Sequence, residues 1–85
     1  MTENIEAKRA IWHSRRGMLE LDVLLLPFAQ EAYTQLDDDD QARYRALLDR
    51  EDPDLFTWFM EHSKPDDPDM ERIVTLVLEH ARNRR

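Results

Sequence analysis

Cysteine is absent from this 85-residue chain, which excludes disulfides and thiolate metal sites and accords with a reducing compartment. No apolar run approaches the roughly 20 residues that a membrane-spanning helix needs. The start Met1-Thr2-Glu3-Asn4 has neither the basic region nor the apolar stretch of a secretory signal, so the expected location is cytoplasmic, without membrane insertion. Positive charge is in deficit, with 12 basic residues against 19 acidic and a net charge of −7. The average field repels phosphate backbones, so nucleic acid is not an expected partner. Strand signals are missing too, because no alternation of polar and apolar residues persists. Glycine occurs once, at position 17.

What is present suffices for one small folded module. Hydrophobic residues make up 41% of the chain, and two Trp, two Tyr and three Phe can build a core. A chain of this length buries only about 60–65% of the surface that its unfolded form exposes, which places function on the outside rather than in a deep pocket. The charges are unevenly distributed: Lys8, Arg9, Arg15 and Arg16 near the start, Arg82, Arg84 and Arg85 near the end, and Asp37 to Asp40 between them. Such a dipolar surface suits docking to one oriented protein partner.

Apolar spacings of three and four predict a single all-α domain over residues 1–85, a bundle of about five short helices. The first is expected from Glu3 to Ser14, with Ile5, Ile11 and Trp12 as its apolar residues. The second begins near Met18 and is apolar through Leu19, Leu21, Val23, Leu24, Leu25 and Leu26. Pro27 is expected to kink or break it before it resumes through Ala32 and Tyr33. Asp37 is the expected N-cap of a third helix presenting Tyr44, Leu47 and Leu48. Asp52-Pro53-Asp54 and Asp67-Pro68-Asp69 each set an acidic cap ahead of a proline and start the last two helices. The fourth offers Leu55, Phe56 and Phe59 inward and leaves Trp58 partly exposed. The fifth offers Met70, Ile73, Val74, Val77, Leu78 and Ala81.

Most chemistry-bearing residues have ordinary explanations. Asp37 to Asp40 lack the alternating ligands, glycine turn and distal Glu of a calcium loop, and read as a solvated helix start. His13, His62 and His80 fall on separate predicted helices without an i, i+4 partner, as surface or capping histidines rather than zinc ligands. The segment Arg15-Arg16-Gly17-Met18-Leu19-Glu20-Leu21-Asp22 has two readings. It can be a helix stop at Gly17, with Glu20 and Asp22 in the first turn of the next helix pairing with Arg15 or Arg16. It can also be a contact surface where glycine admits another backbone. Spacing alone leaves both open.

That segment resembles the RGxxE signature of the succinate dehydrogenase assembly factor family, called SdhE or flavinators in bacteria and assembly factor 2 in mitochondria. Pro27-Phe28, the stretch from Asp52 to Trp58 and the loop from His62 to Pro65 resemble the same family in the same order. Ser63 departs from it, standing where many relatives have glycine, so the close of the fourth helix is expected to differ. The resemblance implies a five-helix fold and a chaperone role in covalent attachment of FAD to the flavoprotein subunit of succinate dehydrogenase, with fumarate reductase as a second client. A client histidine would attack the activated flavin methyl group, so no stably bound cofactor is implied for this chain, and no catalysis. The motif falls on Arg16, Gly17 and Glu20, with Arg15, Met18 and Asp22 beside them as partner-binding residues. Arg16 could pair with a client group, and Glu20 could orient Arg16 or meet a client cation. A monomer when free is expected. The rivals are an antitoxin-like or cytoskeletal regulator using the same surface, and, last, an enzyme pairing Glu20 or Asp22 with His13.

Overall fold

A computed structural model describes residues 5–83. Its helices are α1 (Ile5–His13), α2 (Leu19–Glu31), α3 (Asp38–Leu48), α4 (Asp52–Phe59) and α5 (Pro68–Asn83), with a short 3-10 turn at Tyr33–Gln35 between α2 and α3. No described residue lies in a strand. No helix is long and apolar enough to cross a membrane.

The fifth helix forms because its apolar residues repeat at helical spacing, and the same spacing buries it. Met70, Ile73, Val74 and Val77 are all buried, while Leu78 and Ala81 lie at the margin. Asp67 starts it by accepting the Asp69 N–H at 2.8 Å. This helix packs on α2, α3 and α4, and α1 packs on α2. The second helix contributes Leu21, Leu25, Phe28 and Ala29, and the third Tyr44, Leu47 and Leu48.

Three local expectations change, and the packed face of α1 is decided. Pro27 lies inside a continuous α2. The hydrogen bond that proline cannot make would have run to the carbonyl of Val23, an exposed residue, so water can satisfy that carbonyl. Ile5 and Trp12 point outward: α1 buries Ala7, Ala10 and, just beyond it, Ser14, with Ile11 half-buried beside them. Residues 7, 10, 11 and 14 share one helical face, and 5, 8, 9 and 12 the opposite one. Glu51, not Asp52, is the N-cap of α4, and Pro53 takes the second helical position, while the Asp52 carboxylate meets Arg16 instead. The acidic run is only partly solvated. Asp37 caps α3 by accepting the Asp40 N–H at 2.8 Å, whereas Asp40 itself is buried.

Asp40 lies one and two turns ahead of Tyr44 and Leu47, so it enters the core with them. There it accepts two hydrogen bonds from Arg72, at 2.8 and 2.9 Å, and one from Arg43 at 2.8 Å. Arg72's hydrogen bond holds the carboxyl below its ordinary range, against the opposing effect of burial and with help from Arg43. Arg43 also reaches Asp69, tying α3 to the start of α5. A second buried polar group closes the other end: the Ser14 hydroxyl lies 2.6 Å from both the Ala10 carbonyl and the Tyr44 hydroxyl, which in turn reaches the Leu25 carbonyl at 3.2 Å. Two hydroxyl protons thus serve three contacts linking α1, α2 and α3. Burial pushes the Tyr44 phenol well above its ordinary range, with the Ser14 hydrogen bond opposing.

Candidate functional site

The turn between α1 and α2 holds the charged motif, and its geometry follows from a helix that ends early. The last regular residue of α1 is His13, and the Ser14 and Arg15 N–H groups close that end by donating to the carbonyls of Ala10, Ile11 and Trp12. Four residues past the helix, Gly17 adopts φ +80°, a conformation that residues with a Cβ rarely adopt. Met18 is then extended and caps α2 without a side-chain hydrogen bond, its carbonyl accepting the Leu21 and Asp22 N–H groups. Gly17 therefore lies in a connecting turn, four residues beyond the last residue of α1, rather than at the helix stop itself. It is exposed, and a Cβ built on it would meet nothing within 4 Å.

The motif residues divide into two groups. Arg15 and Glu20 are exposed, and neither side chain has an ion-pair partner among the described residues. Met18 is half-buried against the core. Asp22 faces back into the turn and accepts the backbone N–H of Arg16 at 2.8 Å. Arg16, aimed by the sequence reading at an outside molecule, turns inward, with its side chain only 14% exposed. Its Nε–H donates to Asp52 Oδ1 at 2.8 Å, its Nη1 to the carbonyls of Leu48 at 2.8 Å and His13 at 3.2 Å, and its Nη2 to the carbonyl of Arg50 at 2.9 Å. Asp52, not Glu20, orients it. Three of the four acceptors lie where α3 ends and α4 begins, so the α1–α2 turn rests on the α3–α4 connection.

Beside these charges lie apolar residues that the fold leaves outside. Leu19 is 74% exposed and Val23 56%, one turn apart on the outer face of α2. Trp12 is 81% exposed and Ile5 61%, lining a shallow depression of about 460 Å³ with Lys8, Arg9 and Ile11. The available signal was the continuity of the run from Leu19 to Leu26: a helix that is apolar nearly all round has more hydrophobic surface than one packed face can bury. No sequence signal paired Asp52 with Arg16, 36 residues away.

The histidines stand apart. His13 and His62 are exposed, and His62 meets the Phe56 ring edge-on in the turn after α4. His80 differs from the surface histidine expected: its Nε2 lies 3.1 Å from Glu31 and its ring meets Phe28 edge-on. Trp58 is half-buried as anticipated, with the Arg50 guanidinium 5.7 Å from its ring.

The chain is similar to known proteins along nearly its whole length. The sequence profile of the family described as "Flavinator of succinate dehydrogenase" matches residues 8–81. A protein named FAD assembly factor SdhE from Pseudomonas aeruginosa is 56% identical over 81 residues, covering 95% of this chain and 96% of that protein. One of the same name from Shewanella oneidensis is 47% identical over 79 residues, covering 93% and 96%. Among solved structures, the solution structure of a UPF0350 protein superposes with a TM-score of 0.74 at 37% identity, covering 96% of this chain and 88% of that one. The relatives are named as assembly factors, not as enzymes. With a profile spanning nearly its whole length and relatives close to half identical from end to end, the chain belongs to the family of flavinators of succinate dehydrogenase.

Proposed function

We propose that this protein is an assembly factor that binds the flavoprotein subunit of succinate dehydrogenase, and that of fumarate reductase through the same surface, and promotes covalent attachment of FAD there. The observation that carries the reading is the α1–α2 turn. A glycine with open space around it lies on the surface between Arg15 and Glu20, with exposed Leu19 and Val23 alongside. Glycine admits close approach of client backbone, the flanking charges select orientation, and the leucine and valine supply apolar contact. Met18 and Asp22 shape the turn from within.

In this reading FAD belongs to the client, and the client's own side chain makes the bond. The helper acts by population shift, binding the competent arrangement of the subunit more tightly than the others. A preference of about a hundredfold carries a client from 1% competent to about half. No proton transfer is required of the helper's residues.

The test is co-purification with the flavoprotein subunit, together with in-gel fluorescence of covalently bound flavin. Gly17→Arg is compared with Gly17→Ala, since both carry the same backbone strain at φ +80° and arginine adds far more bulk. The expected result is loss of binding and of flavin attachment in the arginine variant, with most of both retained in the alanine variant. Equal binding and equal flavin attachment in wild type and Gly17→Arg remove this surface from the proposal.

A further inference from the structure

The turn carries two adjacent arginines, and the fold treats them oppositely. Arg15 projects into solvent, while the Arg16 side chain directs hydrogen bonds to four acceptors in its own chain. A guanidinium has five N–H donors in a rigid fork, so Arg16 has little left to offer a client. Its backbone N–H is held as well, by Asp22. Residue 16 therefore fixes the end of α1 through the His13 carbonyl, the start of α2 through Asp22, and the α3–α4 connection through Leu48, Arg50 and Asp52. Asp52 is shaped by the same contact. It sits in the first turn of α4, where a carboxylate ordinarily serves the helix N-terminus, and it meets the Arg16 Nε–H instead.

We propose that Arg16 and Asp52 are a positioning pair for client docking: neither touches the client, and together they hold the Gly17 to Glu20 turn against the α3–α4 connection in the shape that the client meets. This rests on the docking reading above. For Arg16 to swing out to a client, three backbone carbonyls and a carboxylate would have to lose their donor, and the new contact would have to outweigh all four bonds. Lysine cannot replace it, because a single ammonium cannot satisfy acceptors spread around a planar fork.

The experiment measures affinity for the flavoprotein subunit by calorimetry for wild type, Arg16→Lys, Asp52→Asn and the double variant, all below their melting temperatures. Each single change is expected to weaken binding about tenfold and the double change by a similar factor, the non-additive signature of two groups acting as one. In the free Asp52→Asn protein, the backbone amide resonances of Gly17 to Asp22 shift, which a loss of global stability alone would not produce. In the wild-type complex, with arginine side chains labelled, the Arg16 Nε–H resonance stays where it is in the free protein. Asp52→Asn binding as tightly as wild type while Arg16→Lys fails, a double loss near a hundredfold, or an Arg16 Nε–H resonance that moves on binding each overturns the pair. Wild type failing to bind the subunit overturns the docking reading and the pair's role with it, an outcome distinct from the other three.

Discussion

The end of α4 offers a sharp thermodynamic test of how this chain closes a helix without glycine. Glu61 has φ +61°, the one residue other than glycine with positive φ among those described. The His62 N–H donates to the Thr57 carbonyl at 3.0 Å and the Glu61 N–H to the Trp58 carbonyl at 3.1 Å, the paired bonds of a Schellman cap whose left-handed position favours glycine. A residue with a Cβ there costs roughly 1–2 kcal/mol. Glycine avoids that cost but loses about 0.5–1 kcal/mol more backbone entropy on folding than alanine does. Glu61→Gly is therefore expected to be more stable than Glu61→Ala by about 0.5–1 kcal/mol, or about 2–8 °C in Tm. Comparing the two variants cancels the exposed contact of Glu61 with Arg82 at 3.4 Å, which both lose. Exposed Ala46, within α3, gives the opposite sign: Ala46→Gly is expected to cost about 1 kcal/mol. Chemical denaturation of the three variants measures both differences. An alanine at 61 as stable as glycine or more so would refute the argument.

Leu19 and Leu21 are separated by one residue and by the whole thickness of the helix wall. Leu21→Ala is expected to cost about 2–5 kcal/mol in urea unfolding, since Leu21 is fully buried, while Leu19→Ser stays within about 0.5 kcal/mol of wild type yet weakens capture of the flavoprotein subunit. Tyr44→Phe removes the hydroxyl shared with Ser14 and is expected to cost about 1–2 kcal/mol at neutral pH. Because burial raises the folded-state pKa of Tyr44 above its ordinary value near 10, its contribution is complete below about pH 10 and is lost as pH rises further. The alkaline fall in wild-type stability should flatten in the phenylalanine variant. Asp40 works on the acid side. Its pKa is depressed by Arg72 and Arg43, so its contribution is present above about pH 4 and is lost as pH falls towards the folded value. Asp40→Asn is expected to be less stable at pH 7 and to lose less stability between pH 5 and about pH 3, measured as urea midpoints.

Much of the architecture was legible because local chemistry is enough to start a helix. Asp37 and Asp67 cap where spacing placed them, and the Met70 to Val77 stripe is buried as its repeat requires. What misled were rules applied without a neighbour. Pro27 does not break α2, and the carbonyl that it leaves without a donor belongs to exposed Val23. Trp12 and Leu19 are as apolar as any core residue, but only packing shows that α1 turns Ala7 and Ala10 to the core, leaving the larger side chains outside. The strained backbone at the close of α4 is at Glu61, two residues before Ser63.

By itself the sequence determined the helical class, most helix starts, the family and the segment on which the motif falls, because each rests on residue types at short spacing. The tertiary structure decided which way each motif residue faces. Arg16 turns inward only because the end of α3 and the start of α4 bring two carbonyls and a carboxylate to it, an encounter across more than 30 residues of chain that no local pattern encodes.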